Sequence, residues 1–472
     1  MNDSLQAALA VVSDSAASYA DDLMEFVRIP SVSTDPEHRP DIEAAAAWVA
    51  GRLALAGVPE VRTMETPGHP VVLGRWQVDP ELPTVIVYGH YDVQPPDPLE
   101  LWESEPFEPE LRDGKVFGRG ASDDKGGVLI AIQAVEAMAR AGGGDPGINV
   151  TFLIEGEEEV GSPNLPVFLD QQREILKADL AISADGGIHG VGIPSLTVGS
   201  RGLAGVQITV RGANADLHSG MYGGAVPNPL MALAKILAGM QDDQGRILVD
   251  GFHDGIPDLD AATMAAVDAI PEDERAELDH IGLKRWWGDP AYSPMARRVV
   301  RPTLEINGMW GGFQGEGIKT VLPKEAHAKV TCRLVVGQDP DAVVTALTRH
   351  VQANAPEDVE VTVTPLAGKG KAYQMPLDHP VLRLADEAMA AAYGREPFPV
   401  WTGGTVPVAE QFQSLLGTWC LYYAFGEPDN GLHAPNEFFR VGTLRTGTEA
   451  TVRLLHALAQ RPDDWRPVEE VA

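Results

Sequence analysis

A chain of 472 residues exceeds one ordinary domain, and its 44% hydrophobic and 22% charged content are those of a globular protein with a large core. A net charge of −32 argues against nucleic-acid binding, which needs a basic stripe to neutralise phosphates, and against an anionic membrane surface. No apolar run approaches the roughly 20 residues of a membrane span.

The opening stretch to Pro30 lacks a basic start and reads as an amphipathic helix, not as a secretory signal. Ile42, Ala45, Ala46, Val49 and Leu53 recur at helical spacing. TVIVYGH (84–90) is an apolar run of strand length, and GGVLIAIQAVEAMARA (126–141) is a helix with Val128, Ile132, Val135 and Met138 on one face. NVTFLIEG (149–156) and DLAISADG (179–186) are two further buried-type strands. This βαβ rhythm predicts a doubly wound, mainly parallel sheet.

The pattern changes near residue 199. LAGVQITVRG (203–212) alternates like a half-exposed strand, and a helix follows Asn228-Pro229 with Leu230, Leu233, Leu237 and Met240 on one face. Residues 250–300 are acidic and weakly periodic; EAHAKVTCRLVV (325–336) and VEVTVTPLA (359–367) then read as strands flanking a helix at 340–353. Helical (380–393) and strand (418–425) patterns resume after residue 374. We read 199–374 as a smaller α+β domain inserted into an α/β domain formed by 1–198 and 375–472. The two cysteines, Cys332 and Cys420, sit in apolar strand-like runs and read as small buried hydrophobes, so the cytoplasm is the default compartment.

Three predicted strands end in chemistry. His90 and Asp92 follow TVIVYG, Glu155 and Glu157–Glu159 follow TFLI, and Asp185 follows LAIS. Ligands of open α/β sheets bind beyond the carboxyl ends of strands. A fourth segment, GRGASDDKGG, sets Asp123 and Asp124 just before a helix start. Each motif has a plainer reading alone: a solvated glutamate loop, a hydrogen-bonded strand-end histidine, a capped helix. Together, so many acids would raise one another's pKa unless a cation neutralised them. Mixed imidazole and carboxylate ligands suit Zn²⁺, and also Mn²⁺ or Co²⁺. Two ions about 4 Å apart would absorb the charge and bring the pKa of a shared water towards about 7.

GHYDVQP, GRGASDDKGG, EGEEEVGS and DLHSGMYGG, in that order, resemble the metallopeptidase family that includes carnosinases, cytosolic non-specific dipeptidases, acetylornithine deacetylase and carboxypeptidase G. GIKTVLP and GGTVPV place the resemblance nearest the dipeptidase branch, and the matching segments span residues 88–437. The resemblance implies a split catalytic domain with a lid and dimerisation insert. It implies two Zn²⁺ per subunit, with His90 and Asp185 on one ion, Glu159 and His433 (in GLHAPNE) on the other, and Asp123 bridging. Asp92 resembles the acid that orients the metal-binding imidazole, and Glu158 the general base. His218 is similar to a histidine that reaches the partner subunit's site and stabilises the oxyanion. Thr320, Arg333, Gly404 and Thr405 resemble contacts to the substrate carboxylate; the plainer reading of Arg333 is a structural ion pair. Glu157 stands where the family often has another residue, putting one more carboxylate near the metals, and Thr405 where eukaryotic relatives often have serine. His189, His253, His280, His327 and His350 match no motif.

The expectation is a dinuclear metallodipeptidase acting on small peptides as a homodimer. Its rivals are deacylation of N-acyl amino acids, which shares the core motifs, and a catalytically silent binding homologue.

Overall fold

Residues 2–466 are described in a computed structural model, in which the chain divides into two compact units. The larger takes in residues up to Val198, Met375–Val400 and those from Val408 onward; the smaller consists of Gly199–Gln374 and Trp401–Pro407. The sequence reading kept 375–472 whole. Trp401–Pro407 instead joins the smaller unit, where the Arg201 amide donates to the Gly404 carbonyl at 3.0 Å and Arg201 Nε to the Gly403 carbonyl at 3.0 Å.

The sheet of the larger unit runs in the order Glu60–Met64, Val71–Trp76, Asn149–Glu155, Thr84–His90, Leu180–Ser183, Cys420–Tyr422, Ser195–Ser200. Its four middle strands, from Asn149–Glu155 to Cys420–Tyr422, pair in parallel, and the flanking pairs are antiparallel. The middle strands are buried on both faces, which is why they read as unbroken apolar runs. Ile42, Ala45, Ala46, Val49 and Leu53 are the buried stripe of helix Arg39–Leu55. Helix Gly126–Ala141 differs from its expected single apolar face, being buried on nearly every side. Helices Asn2–Ser15 and Val441–Gln460 pack on it, so Leu129, Ile130 and Ala134 are covered as well.

The opening amphipathic stretch is two helices, Asn2–Ser15 and Tyr19–Val27. The break follows from Ser18, whose hydroxyl and amide both turn back to donate to the Ser15 carbonyl.

The smaller unit carries an antiparallel sheet in the order Thr303–Gly311, Glu325–Leu334, Gly202–Arg211, Glu360–Pro365. Alternation is clean: Ala204, Val206, Ile208 and Val210 face a core shared with Ala326, Ala328, Val330, Cys332 and Leu334. Arg333 therefore lies on the opposite face. Helices Pro229–Ala238 and Pro340–Asn354 cover the apolar face, each opened by a proline after a capping residue, Asn228 and Asp339. The acidic stretch 250–300 contains three short helices, Ala261–Asp268, Glu274–His280 and Pro294–Val299, capped by Asp260, Asp273 and Ser293. Among the described residues no helix is long and apolar enough to cross a membrane.

Candidate active site

Strand register assembles the site. His90 lies opposite Glu155 in one parallel pair, and Tyr88 opposite Ser183 in the other. Three neighbouring strands thus release His90, the Glu157–Glu159 turn and Asp185 on one edge of the sheet. Cys420–Tyr422 is the fourth parallel strand, and the loop after it brings His433. Asp123 arrives from the turn that opens helix Gly126–Ala141.

Two groups of ligand-type side chains result: His90, Glu158 and Asp185, and Asp123, Glu159 and His433, each with atoms within 4.8 Å of one another. Asp123 faces both. Its Oδ1 is 3.1 Å from His90 Nε2 and its Oδ2 is 3.0 Å from His433 Nε2. His433 Nε2 is also 3.4 Å from Glu159 Oε2. His433 has φ 58°, a left-handed backbone that a non-glycine residue adopts at a cost and that recurs at functional sites.

Asp92 holds this arrangement in two ways. Its carbonyl accepts from His90 Nδ1 at 3.0 Å, with its carboxylate 3.4 Å away, which fixes the ring and turns Nε2 towards Asp123. Its two carboxylate oxygens accept the amides of Glu158 (3.2 Å) and Glu159 (3.1 Å). The expected role of orienting the imidazole is thus shared between carbonyl and carboxylate, and Asp92 also shapes the glutamate turn.

The electrostatics call for a cation. Asp123, Glu158, Glu159 and Asp185 make no ion pair with any lysine or arginine among the described residues. Burial first, then the like charges of Asp185, Glu159 and Asp123, push the Glu158 carboxyl well up despite the opposing His90. Burial first and then Asp123 push Glu159 and Asp185 up too. Asp123 goes the other way: burial would raise it, but hydrogen bonds with His433 and His90 hold it below the usual carboxylate range. Glu159 Oε1 is buried and accepts no hydrogen bond among the described residues. Four clustered carboxylates, two imidazoles and an orphaned acceptor fit a pair of divalent cations.

The remaining expected residues belong to the smaller unit. His218 and Thr320 lie together on an exposed ribbon, where Leu217–His218 pairs with Val321–Leu322 and the Ser219 amide donates to the Thr320 carbonyl at 3.0 Å. Arg333 Nη1 donates to Thr405 Oγ1 at 2.7 Å, and the Gly404 amide donates to Thr402 Oγ1 at 3.1 Å. Arg333 makes no carboxylate ion pair within 4.0 Å among the described residues, which removes the plain ion-pair reading.

A family profile described as peptidase family M20/M25/M40 matches residues 86–457. The chain belongs to this family. It is 29% identical to the Cys-Gly metallodipeptidase DUG1 of Saccharomyces cerevisiae over 94% of this chain and 95% of that protein. The Beta-Ala-His dipeptidase of Homo sapiens is 29% identical over 96% of this chain and 89% of its own. A solved M20 metallo-carboxypeptidase from Sulfolobus solfataricus superposes with a TM-score of 0.82 at 29% identity, covering 93% of this chain and 98% of that one. The M20/M25/M40 peptidase described here is accordingly a metal-dependent hydrolase of peptide bonds.

Other residues of this peptidase hold the site together without having stood out in the sequence. Glu437, fully buried, accepts from Arg119 Nη1 (2.7 Å) and from the amides of Gly120 (2.9 Å), Ser122 (2.8 Å) and Asp123 (3.1 Å), fastening the loop that delivers Asp123. It closes the GLHAPNE segment, four residues after His433. Gln94 Nε2 donates to Glu159 Oε2 at 2.8 Å. Asp124 is joined to Asp123 by a cis peptide and is wedged between glycines: a Cβ at Gly127 would run into its Oδ1 and the Ala184 carbonyl. Glu157, expected as one more carboxylate near the metals, has both its oxygens within 3.0 Å of Asn164 Nδ2 and falls in neither ligand group.

Proposed function

We propose that this peptidase cleaves the amide bond of dipeptides at a pair of Zn²⁺ ions, as a cytoplasmic homodimer assembled through the smaller unit. The observation that carries the reading is Asp123, with one carboxylate oxygen directed to each ligand group. His90 and Asp185 would hold one ion, Glu159 and His433 the other, and Asp123 both. When bound, the ions polarise a carbonyl and bring the pKa of water towards about 7.

The chain's own groups do the rest. Arg333, with Thr320, Gly404 and Thr405, takes the substrate carboxylate and fixes the peptide's orientation. Glu158 takes a proton from the attacking water and returns it to the leaving amine. Its burial, which raises the carboxyl's affinity for a proton, suits a group that must hold one between two steps. His218, contributed by the partner subunit, donates to the oxyanion as the carbonyl becomes tetrahedral. Cys332, a buried thiol without a disulfide, fits a reducing compartment.

The test is hydrolysis of a panel (Ala-Ala, Cys-Gly and β-Ala-His beside N-acetyl and N-succinyl amino acids) by protein stripped with chelator and reloaded with Zn²⁺ or Mn²⁺. Metal-dependent release of amino acids from dipeptides is expected. Cleavage of the acylated amino acids alone would move the protein to the deacylases.

A further inference from the structure

Within the larger unit, helices Asn2–Ser15, Tyr19–Val27, Arg39–Leu55 and Gly126–Ala141 line a cavity of about 510 Å³, inside the roughly 300–1000 Å³ of small-molecule sites. It shares no residue with either group of candidate metal ligands. Three acids, Asp22, Glu25 and Glu136, line it together with two arginines, Arg52 and Arg140. Arg52 is paired, with Nη2 2.7 Å from Glu136 Oε2 and 3.4 Å from Asp22 Oδ2. Arg140 is exposed and held more loosely, 3.2 Å from Ser15 Oγ and 3.9 Å from Glu136 Oε1. Asp22 Oδ1 accepts no hydrogen bond among the described residues. Glu25, one turn along the same helix face, makes no ion pair among them.

Tyr19 is the group that calls for a ligand. It lines the cavity, is only 3% exposed, and its hydroxyl lies among Glu136, Arg52, Arg140 and Asp22. The hydroxyl makes no hydrogen bond with any described residue. Burial first, then the Glu136 charge, pushes the phenol up, so the hydroxyl stays protonated and is a donor. Buried hydroxyls are ordinarily hydrogen-bonded, because desolvation without a partner is costly.

Gly51 is a second, independent sign. It lies inside helix Arg39–Leu55, where glycine is destabilising relative to alanine, and a Cβ there would meet nothing within 4 Å. Packing does not ask for glycine at this position; what its missing side chain does is leave the cavity open. Trp48, three residues earlier, lines the same cavity with its ring stacked on Phe26 at 4.2 Å.

A plain anion would face an excess of acids here, and a plain amine would leave Tyr19 and Arg140 without an acceptor. We propose that this cavity binds a free α-amino acid, the class of molecule that hydrolysis of a peptide releases. Its carboxylate accepts from Tyr19 and Arg140, its ammonium donates to Asp22 and Glu25, and its side chain lies along Trp48. The inference goes beyond the dipeptidase reading and does not depend on which peptides are cleaved.

The experiment is isothermal titration of the metal-loaded protein with L-leucine, whose apolar side chain suits Trp48. L-leucinamide, which lacks the carboxylate, and 4-methylpentanoate, which lacks the ammonium, are titrated beside it. Leucine is expected to bind, and each analogue to bind at least about tenfold more weakly, the value of one charge-assisted hydrogen bond. Gly51→Leu, whose added side chain enters the cavity, should weaken leucine binding by at least about tenfold with the melting transition unchanged or raised. Tyr19→Phe should weaken it about fivefold, the value of one neutral hydrogen bond, and serves if Gly51→Leu fails to fold. No leucine binding at millimolar concentration overturns the inference. So does an affinity unchanged in both variants, which places leucine elsewhere, or an analogue that binds as well as leucine. Dipeptide hydrolysis, measured separately, bears on the dipeptidase reading alone.

Discussion

Glu158 and Glu159 are adjacent in the chain and face different partners. The Asp92 carboxylate accepts both of their amides, one on each oxygen, and this directs Glu158 towards His90 and Asp185 and Glu159 towards Asp123 and His433. In the proposed roles, a base and a ligand can therefore stand side by side without exchanging places. Glu158→Ala should lower kcat by at least about a hundredfold while atomic spectroscopy still finds two metal equivalents per chain. Metal loss in that variant would make Glu158 a ligand. The identity of these residues was legible in their motifs. The work of Glu437 was not, because a buried acid that accepts four hydrogen bonds looks, in sequence, like any other glutamate.

Helix Gly126–Ala141 shows how an element can be constrained at its end by chemistry and along its length by packing. Replacing glycine by alanine inside a helix ordinarily gains about 1 kcal/mol. At Gly127 the sign reverses, since a methyl group there meets the Asp124 carboxylate and the Ala184 carbonyl, and Ala184 precedes Asp185. Gly127→Ala should lower the urea midpoint and the bound metal together; a stabilised protein with full metal content would refute the close approach. Helix Pro380–Tyr393 carries a different constraint. Burial, then the charges of Glu396 and Glu387, push Asp386 up to about 6. An acid raised above its unfolded value of about 3.9 favours the fold below that value, and the contribution is lost as pH rises through about 6. Asp386→Asn should therefore raise Tm at pH 7.5 and leave it nearly unchanged at pH 4. Equal shifts at both pH values would remove charge as the cause.

At the scale of the molecule, the groups proposed for catalysis are distributed over two units, with the proposed ligands and base in the larger and His218 and Arg333 in the smaller. If His218 acts across subunits, neither an isolated chain nor a dimer of His218→Ala chains completes a site. Mixed dimers of Glu158→Ala and His218→Ala chains should then recover about a quarter of wild-type activity, since half the dimers are mixed and each holds one complete site. No recovery in verified mixed dimers would place His218 in its own subunit's site or outside catalysis.

The sequence by itself determined the parallel strands, because a strand covered on both faces must be apolar throughout. It pointed to the chemistry at their ends too, because so many acids gathered together raise one another's pKa unless a cation neutralises them. It also carried the alternation of the smaller sheet, since one covered face imposes a period of two. Tertiary structure alone decided what acts over long separations in the chain. Glu437 fastens a loop more than 300 residues away, Trp401–Pro407 joins the smaller unit, and arginines from distant segments line one cavity. Hydrogen bonds and charge pairing depend on distance in space, and spacing along the chain records distance only within one helix or strand.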